Sequence, residues 1–213
     1  MNPKKKSAEL RPAQTDRNGS QGALGRSVSL HLEGKLKEAL RELDLALDSG
    51  EATAEIHSAR GHIQFELEQY EESAISYGKL LDLDPRHPTA TFNMAVCLEK
   101  LQRWAQASES FQRASETDPK RVDAIAGMGV CLLHLDRSQT ALECFERVLA
   151  QEPSNATAQF GKGVALQLLR NLEEASKVYQ DNLANHPDSE DAMVNLISIG
   201  IAQKSHDMVR DFS

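Results

Sequence analysis

The chain has 213 residues, 40% hydrophobic and 26% charged, with a net charge of −8. The excess of acid argues against a nucleic-acid binder, which needs a basic face. No apolar run is long enough to cross a membrane, and three cysteines do not make a disulfide framework.

Residues 1–19 hold five basic and two acidic residues among Pro, Gly, Asn and Ser, with almost no apolar pattern. That composition predicts a disordered basic tail. No apolar stretch follows Lys4-Lys5-Lys6, so no signal peptide is expected. Without an export signal, and with cysteines read as buried core fillers, a reducing, cytoplasmic setting is expected. Beyond the tail the chain is more acidic still, about −11 net, which suits a partner with basic flanks. From residue 20 the apolar residues fall at helical spacing. Ala39, Leu43 and Ala46 lie on one face of a helix in segment 20–53. Met94, Leu98 and Leu101 follow i, i+4, i+7, and Ala107, Phe111 and Ala114 do the same. Short polar turns such as Gln102-Arg103 and Asp136-Arg137 separate such runs.

Pro85, Pro119, Pro153 and Pro187 stand 34 residues apart. A fixed period of this size means one supersecondary unit, repeated and stacked. With each proline at position 32, the units are 54–87, 88–121, 122–155 and 156–189. Position 8 reads Gly61, Ala95, Gly129, Gly163; position 14 reads Leu67, Leu101, Leu135, Leu169; position 24 reads Tyr77, Phe111, Phe145, Tyr179. Independent columns agree on one register. Each unit is predicted to be two antiparallel helices, the second ended by its proline, which lacks an N–H and clashes with the preceding turn. Pro88 falls at the first turn of the following helix, where a missing N–H costs little. The small residue at position 8 admits a close helix, and the ring at position 24 fills the space between units. Segment 20–53 is a degenerate copy with Glu51 in place of its proline, and 190–213 a partial copy expected to supply a first helix and stop early in a second. Met193, Leu196 and Ile197 there are expected to lose part of their cover.

These columns, and above all Tyr70-Glu-Glu-Ser-Ala-Ile-Ser-Tyr77-Gly-Lys-Leu-Leu-Asp-Leu-Asp-Pro85, resemble the tetratricopeptide repeat. The resemblance covers residues 20–213 and implies an all-α, right-handed α-solenoid of antiparallel helix pairs. Departures are Ser73 for the usual alanine and Asn182 at a normally small position. The family's positions 2, 5, 9, 12 and 13 face the concave groove. Carried to this chain, position 5 gives Leu24, Phe92, Ala126, Phe160 and Val194; position 9 gives Val28, Val96, Val130 and Val164; position 12 adds Phe65 and Leu133. The resemblance thus implies an apolar stripe, with Ala126 as a notch between Phe92 and Phe160. Glu55, Thr89, Asp123, Thr157 and Asp191 at position 2 would form its acidic or hydroxylated edge. The carboxylate clamp that some family members use on chaperone tails is missing: Ser58, His62, Asp123 and Gly127 hold its places beside Asn93. The asparagine ladder of others is missing too, since position 6 reads Gly25, Ala59, Asn93, Gly127, Gly161, Asn195.

Catalytic chemistry finds no footing. The seven histidines are scattered, with no zinc-like spacing among His31, His62 and His134. Glu71-Glu72 and Glu173-Glu174 open second helices, where acid favours the helix dipole. No nucleophile stands with a base and an orienting group. The expectation is a non-enzymatic scaffold with no metal or cofactor, binding a protein or peptide segment in the apolar groove. Two alternatives stay open: self-assembly into a homodimer through residues 190–213, and the repeat region of an enzyme whose catalytic domain lies beyond Ser213.

Overall fold

The computed structural model describes residues 17–87 and 89–211. Its elements are α1 (Arg17–Leu32), α2 (Leu36–Asp48), α3 (Ala54–Glu66), α4 (Tyr70–Leu83), α5 (Ala90–Lys100), α6 (Trp104–Thr117), α7 (Val122–His134), α8 (Ser138–Leu149), α9 (Ala156–Leu168), α10 (Leu172–Asn185) and α11 (Glu190–Asp211). Every helix packs on the next, and α1 also touches α3, α5 touches α7, and α7 touches α9. The fold is an all-α solenoid of helix pairs, and the first helices of successive units approach one another along its inner side.

The first helices α1, α3, α5, α7 and α9 stop by one device. The position-16 N–H returns to the position-11 carbonyl: Lys35 to Leu30, Gln69 to Gln64, Arg103 to Leu98, Arg137 to Leu132 and Asn171 to Leu166, at 2.8–2.9 Å. This six-to-one bond needs a left-handed residue at position 15. Gly34 supplies it at φ +75°, but Glu68, Gln102, Asp136 and Arg170 adopt φ of 56–64° without glycine's freedom.

The position-24 rings are the pegs of the stack. Phe145 is fully buried, and a Cβ on Gly129 would stand 2.8 Å from its ring. Gly161 of the next unit meets the same ring, which leaves no room for a Cβ there either. Phe111 is held in the same way, with a Cβ on Gly127 calculated to fall 2.6 Å from its ring. Each such ring stabilises the fold by about 1.5–3 kcal/mol. Recurrent ion pairs join position 25 to position 7 of the next unit: Asp44 with Arg60 at 2.7 Å, Glu146 with Lys162 at 3.0 Å.

The departures from the repeat pattern have local reasons. The Ser73 hydroxyl is buried, donating to the Gly61 carbonyl at 2.7 Å and accepting from the Cys97 thiol at 3.2 Å. Asn182 is buried and its amide donates to Gln159 Oε1 at 3.5 Å. Cys97, Cys131 and Cys144 are buried free thiols, all pushed up in pKa by burial, Cys131 to about 12.

Two boundaries differ from expectation or fall outside view. Helix α1 begins at Arg17, inside the segment read as tail, and residues 1–16 and Pro88 lie outside the described residues. Helix α11 runs unbroken for 22 residues where a turn into a second helix was expected. Position 14 is Gln203 there rather than leucine, and position 8 is Ile197 rather than Gly or Ala. The first removes the leucine that stands at the turns after α3, α5, α7 and α9. The second puts a bulky side chain where a partner helix would have to approach.

Candidate functional site

Two of the clefts on the inner side share one wall. The first, about 260 Å³, is lined by His62, Phe65, Tyr77, Phe92, Asn93 and Val96. The second, about 200 Å³, lies between Phe92 and Val96 on one side and Ala126, Gly127 and Val130 on the other, with Glu99, Asp123 and Thr157 also facing it. Phe92 and Val96 are therefore common to both. Phe92 is half-buried and held on two sides. Its ring meets Phe111 edge-on at 5.6 Å, and the Arg121 guanidinium lies 4.7 Å from its centroid, a cation–π distance. Arg121 in turn faces Asp118 at 3.9 Å. The result is a pre-set aromatic wall.

The small residues shape the second cleft. Ala126 is only 5% exposed, so it works as a gap and offers little contact surface. Gly127 drops the floor because Phe111 leaves no room for a side chain.

Of the residues chosen from the repeat register, Phe65, Phe92 and Val96 come together in the first cleft, and Phe92, Val96, Ala126 and Val130 in the second. Leu133 is half-buried against the core around Phe145, and Phe160 and Val164 against the core around Tyr179; none of these three lines either cleft. Phe160 instead packs 6.0 Å from the Tyr179 ring. Leu24 is half-buried on the Ala39–Leu43 core. Val28, 48% exposed, and Val194, 60% exposed, stand toward the two ends of the stack, outside both clefts.

Polar members of the site escaped a search for apolar positions. Glu99 shares position 12 with Phe65 and Leu133, and burial raises its carboxyl pKa while Lys100 and His134 pull it back. Asn93, weighed as a ladder residue, donates to the Tyr77 hydroxyl at 3.1 Å. His134 stacks flat on Trp104 at 3.8 Å. His31 and His62 are brought together at Glu66, each Nε2 2.9 Å from Glu66 Oε1.

Two tetratricopeptide repeat family models match the chain, over residues 64–128 and 128–190. Together they take in more than half of it. The chain is a tetratricopeptide repeat protein. No curated protein matches it in sequence. Solved structures share its fold. YrrB, described as a TPR protein with an unusual peptide-binding site, is 24% identical with a TM-score of 0.76, covering 84% of this chain and 92% of its own. A tetratricopeptide repeat protein from Parabacteroides merdae ATCC 43184 is 17% identical with a TM-score of 0.78, covering 92% and 79%. MamA from Desulfovibrio magneticus RS-1 is 16% identical with a TM-score of 0.75, covering 81% and 98%. Tetratricopeptide repeats are, in general, protein-interaction scaffolds. Among the described residues of this one, no helix is long and apolar enough to cross a membrane.

Proposed function

We propose that this tetratricopeptide repeat protein is an adaptor that seats an apolar segment of a partner protein, flanked by basic residues, along its concave face. The observation that carries the reading is the pair of clefts meeting at Phe92 and Val96. Two adjoining apolar depressions on rigid helices suit alternate side chains of one extended or helical segment. Glu99 and Asp123 beside the second cleft favour a basic flank. The likeness to YrrB, described as having a peptide-binding site, agrees with this use of the fold.

A photo-crosslinking residue at Val130 tests it, with the joined partner peptide identified by mass spectrometry. The expected adduct is an apolar segment next to Lys or Arg. It disappears on Val96→Glu with Phe92→Ala while helicity by circular dichroism is kept. Retention of the same adduct in that variant overturns the reading.

A second reading has its own observation. Met193, Val194, Ile197 and Ile201 of α11 are 46–63% exposed, which suits self-association through this helix. Light scattering across a concentration series checks it: a monomer throughout removes the reading, and Ile197→Lys with Ile201→Lys dissolves any dimer that forms through α11.

A further inference from the structure

The inner face of the first two units holds a second constellation, which borders the first apolar cleft at His62. His62 and Glu66 stand one helical turn apart on α3 and point the same way, the i, i+4 spacing at which one helix presents two metal ligands. His31, in the last turn of α1, reaches the same point from the preceding unit. Both imidazole Nε2 atoms lie 2.9 Å from Glu66 Oε1, and the three donor atoms all fall within 4.8 Å of one another. In a tetrahedral site with bonds of about 2.0–2.1 Å, neighbouring donors stand roughly 3.3 Å apart. Small side-chain rotations therefore open this cluster around an ion, with no movement of backbone.

We propose that His31, His62 and Glu66 form a three-ligand site for a divalent transition-metal ion of the zinc class. Two imidazole nitrogens and one carboxylate oxygen suit such borderline ions and disfavour calcium and magnesium, which take oxygen donors. His31 is half-buried while His62 and Glu66 are exposed, so the fourth position faces solvent on the concave side. The donors come from two units, so a bound ion joins the first unit to the second. Hydrogen bonding among the same three groups also holds them close, and metal binding is what separates the two accounts. The site shares His62 with the wall of the first cleft, but its donors include neither Phe92 nor Val96, and it holds whether or not the clefts take a peptide.

The test uses the full chain without a histidine tag, titrated with ZnCl2 by calorimetry and with CoCl2 by visible absorption. One ion per chain is expected, with the Co2+ bands of a four-coordinate nitrogen–oxygen site and a rise in Tm on adding Zn2+. Loss of an outer hydrogen-bonding partner of a metal ligand weakens binding about 10–100-fold; His31→Ala and His62→Ala, which remove ligands outright, are expected to cost at least that. Glu66→Gln keeps the shape and removes the charged donor, and is expected to weaken binding too. All three changes lie on exposed or half-buried positions, and circular dichroism reports that the helices persist. No saturable Zn2+ binding by the parent chain overturns the proposal. So does binding that survives in the His31→Ala, His62→Ala double variant, which places the ion elsewhere. Calcium binding of equal strength overturns the assigned class.

Discussion

Position 24 is tyrosine in the units of Tyr77 and Tyr179 and phenylalanine in the two between them, and the next unit answers in kind. Tyr77 and Tyr179 each receive a hydrogen bond from an asparagine sixteen residues on, Asn93 at 3.1 Å and Asn195 at 3.3 Å. Phe111 and Phe145 have no hydroxyl, and at the same place they meet Gly127 and Gly161. A ring with a polar tip thus gets a donor, and a bare ring gets bare backbone. Asn93→Ala is expected to cost about 1 kcal/mol in urea unfolding, and Tyr77→Phe in the same chain to recover part of it; additive losses would deny the coupling. Burial also raises the two hydroxyls from 10.0 to about 12, the asparagine bonds opposing it. The folded state then holds these protons more tightly than the unfolded chain does. Their contribution to stability is complete below pH 10 and is lost as pH rises through 12, with Cys131, raised from 9.0 to about 12, adding to the loss from pH 9 upward. A Tm that falls over that alkaline range, and falls less in Tyr77→Phe, is the expected result.

Helix ends carry the strain of the structure. Four first helices close on a left-handed residue that is not glycine. That conformation costs an L-residue roughly 1–2 kcal/mol, against about 0.4–1 kcal/mol lost through the freer unfolded chain when glycine replaces it. Gln102→Gly and Arg170→Gly are therefore each expected to stabilise by about 0.5–1 kcal/mol, and Gly34→Ala to destabilise by a similar amount, as read by urea midpoints. Helix starts differ. Thr53 and Asn155 cap α3 and α9 with side-chain oxygens, at 3.4 and 3.0 Å from the N–H groups of Ile56 and Ala158. Asn155→Ala is expected to cost about 1 kcal/mol and Thr53→Ala less, in keeping with its longer bond.

The described residues form a line of units whose main contacts run between neighbours. Among them, central helices are covered on both sides, while α1 and α11 are covered on one. Hydrogen exchange is expected to be slowest in α5 to α9 and fastest in α1 and α11, since local opening needs fewer contacts broken at an end. A flat profile along the chain would mean a single cooperative block instead. Linear stacking also shapes the groove unit by unit. The two clefts gather around α5 and α7, where Phe92 and Val96 face Ala126 and Gly127; farther on, Phe160 turns to its own Tyr179.

A period of 34 residues carries its own reading of fold, because spacing within a helix pair depends on neighbours a few residues away and recurs in every copy. Helices, turns, the small residue at position 8 and the ring at position 24 were all legible from columns of side chains. Position 5 put Phe92 and Phe160 in one column as equal anchors; packing separates them, since a ring's exposure depends on what the adjoining unit places against it. Asn93 and Asn195 stand in the sequence as the two asparagines of the position-6 column, and only the stacked units pair each with a tyrosine hydroxyl. The meeting of His31 with His62 and Glu66 is not written in local spacing at all, since 35 residues lie between His31 and Glu66. Contacts across that distance exist only once one unit is laid on the next, at an angle that summed side-chain packing sets and no single column records.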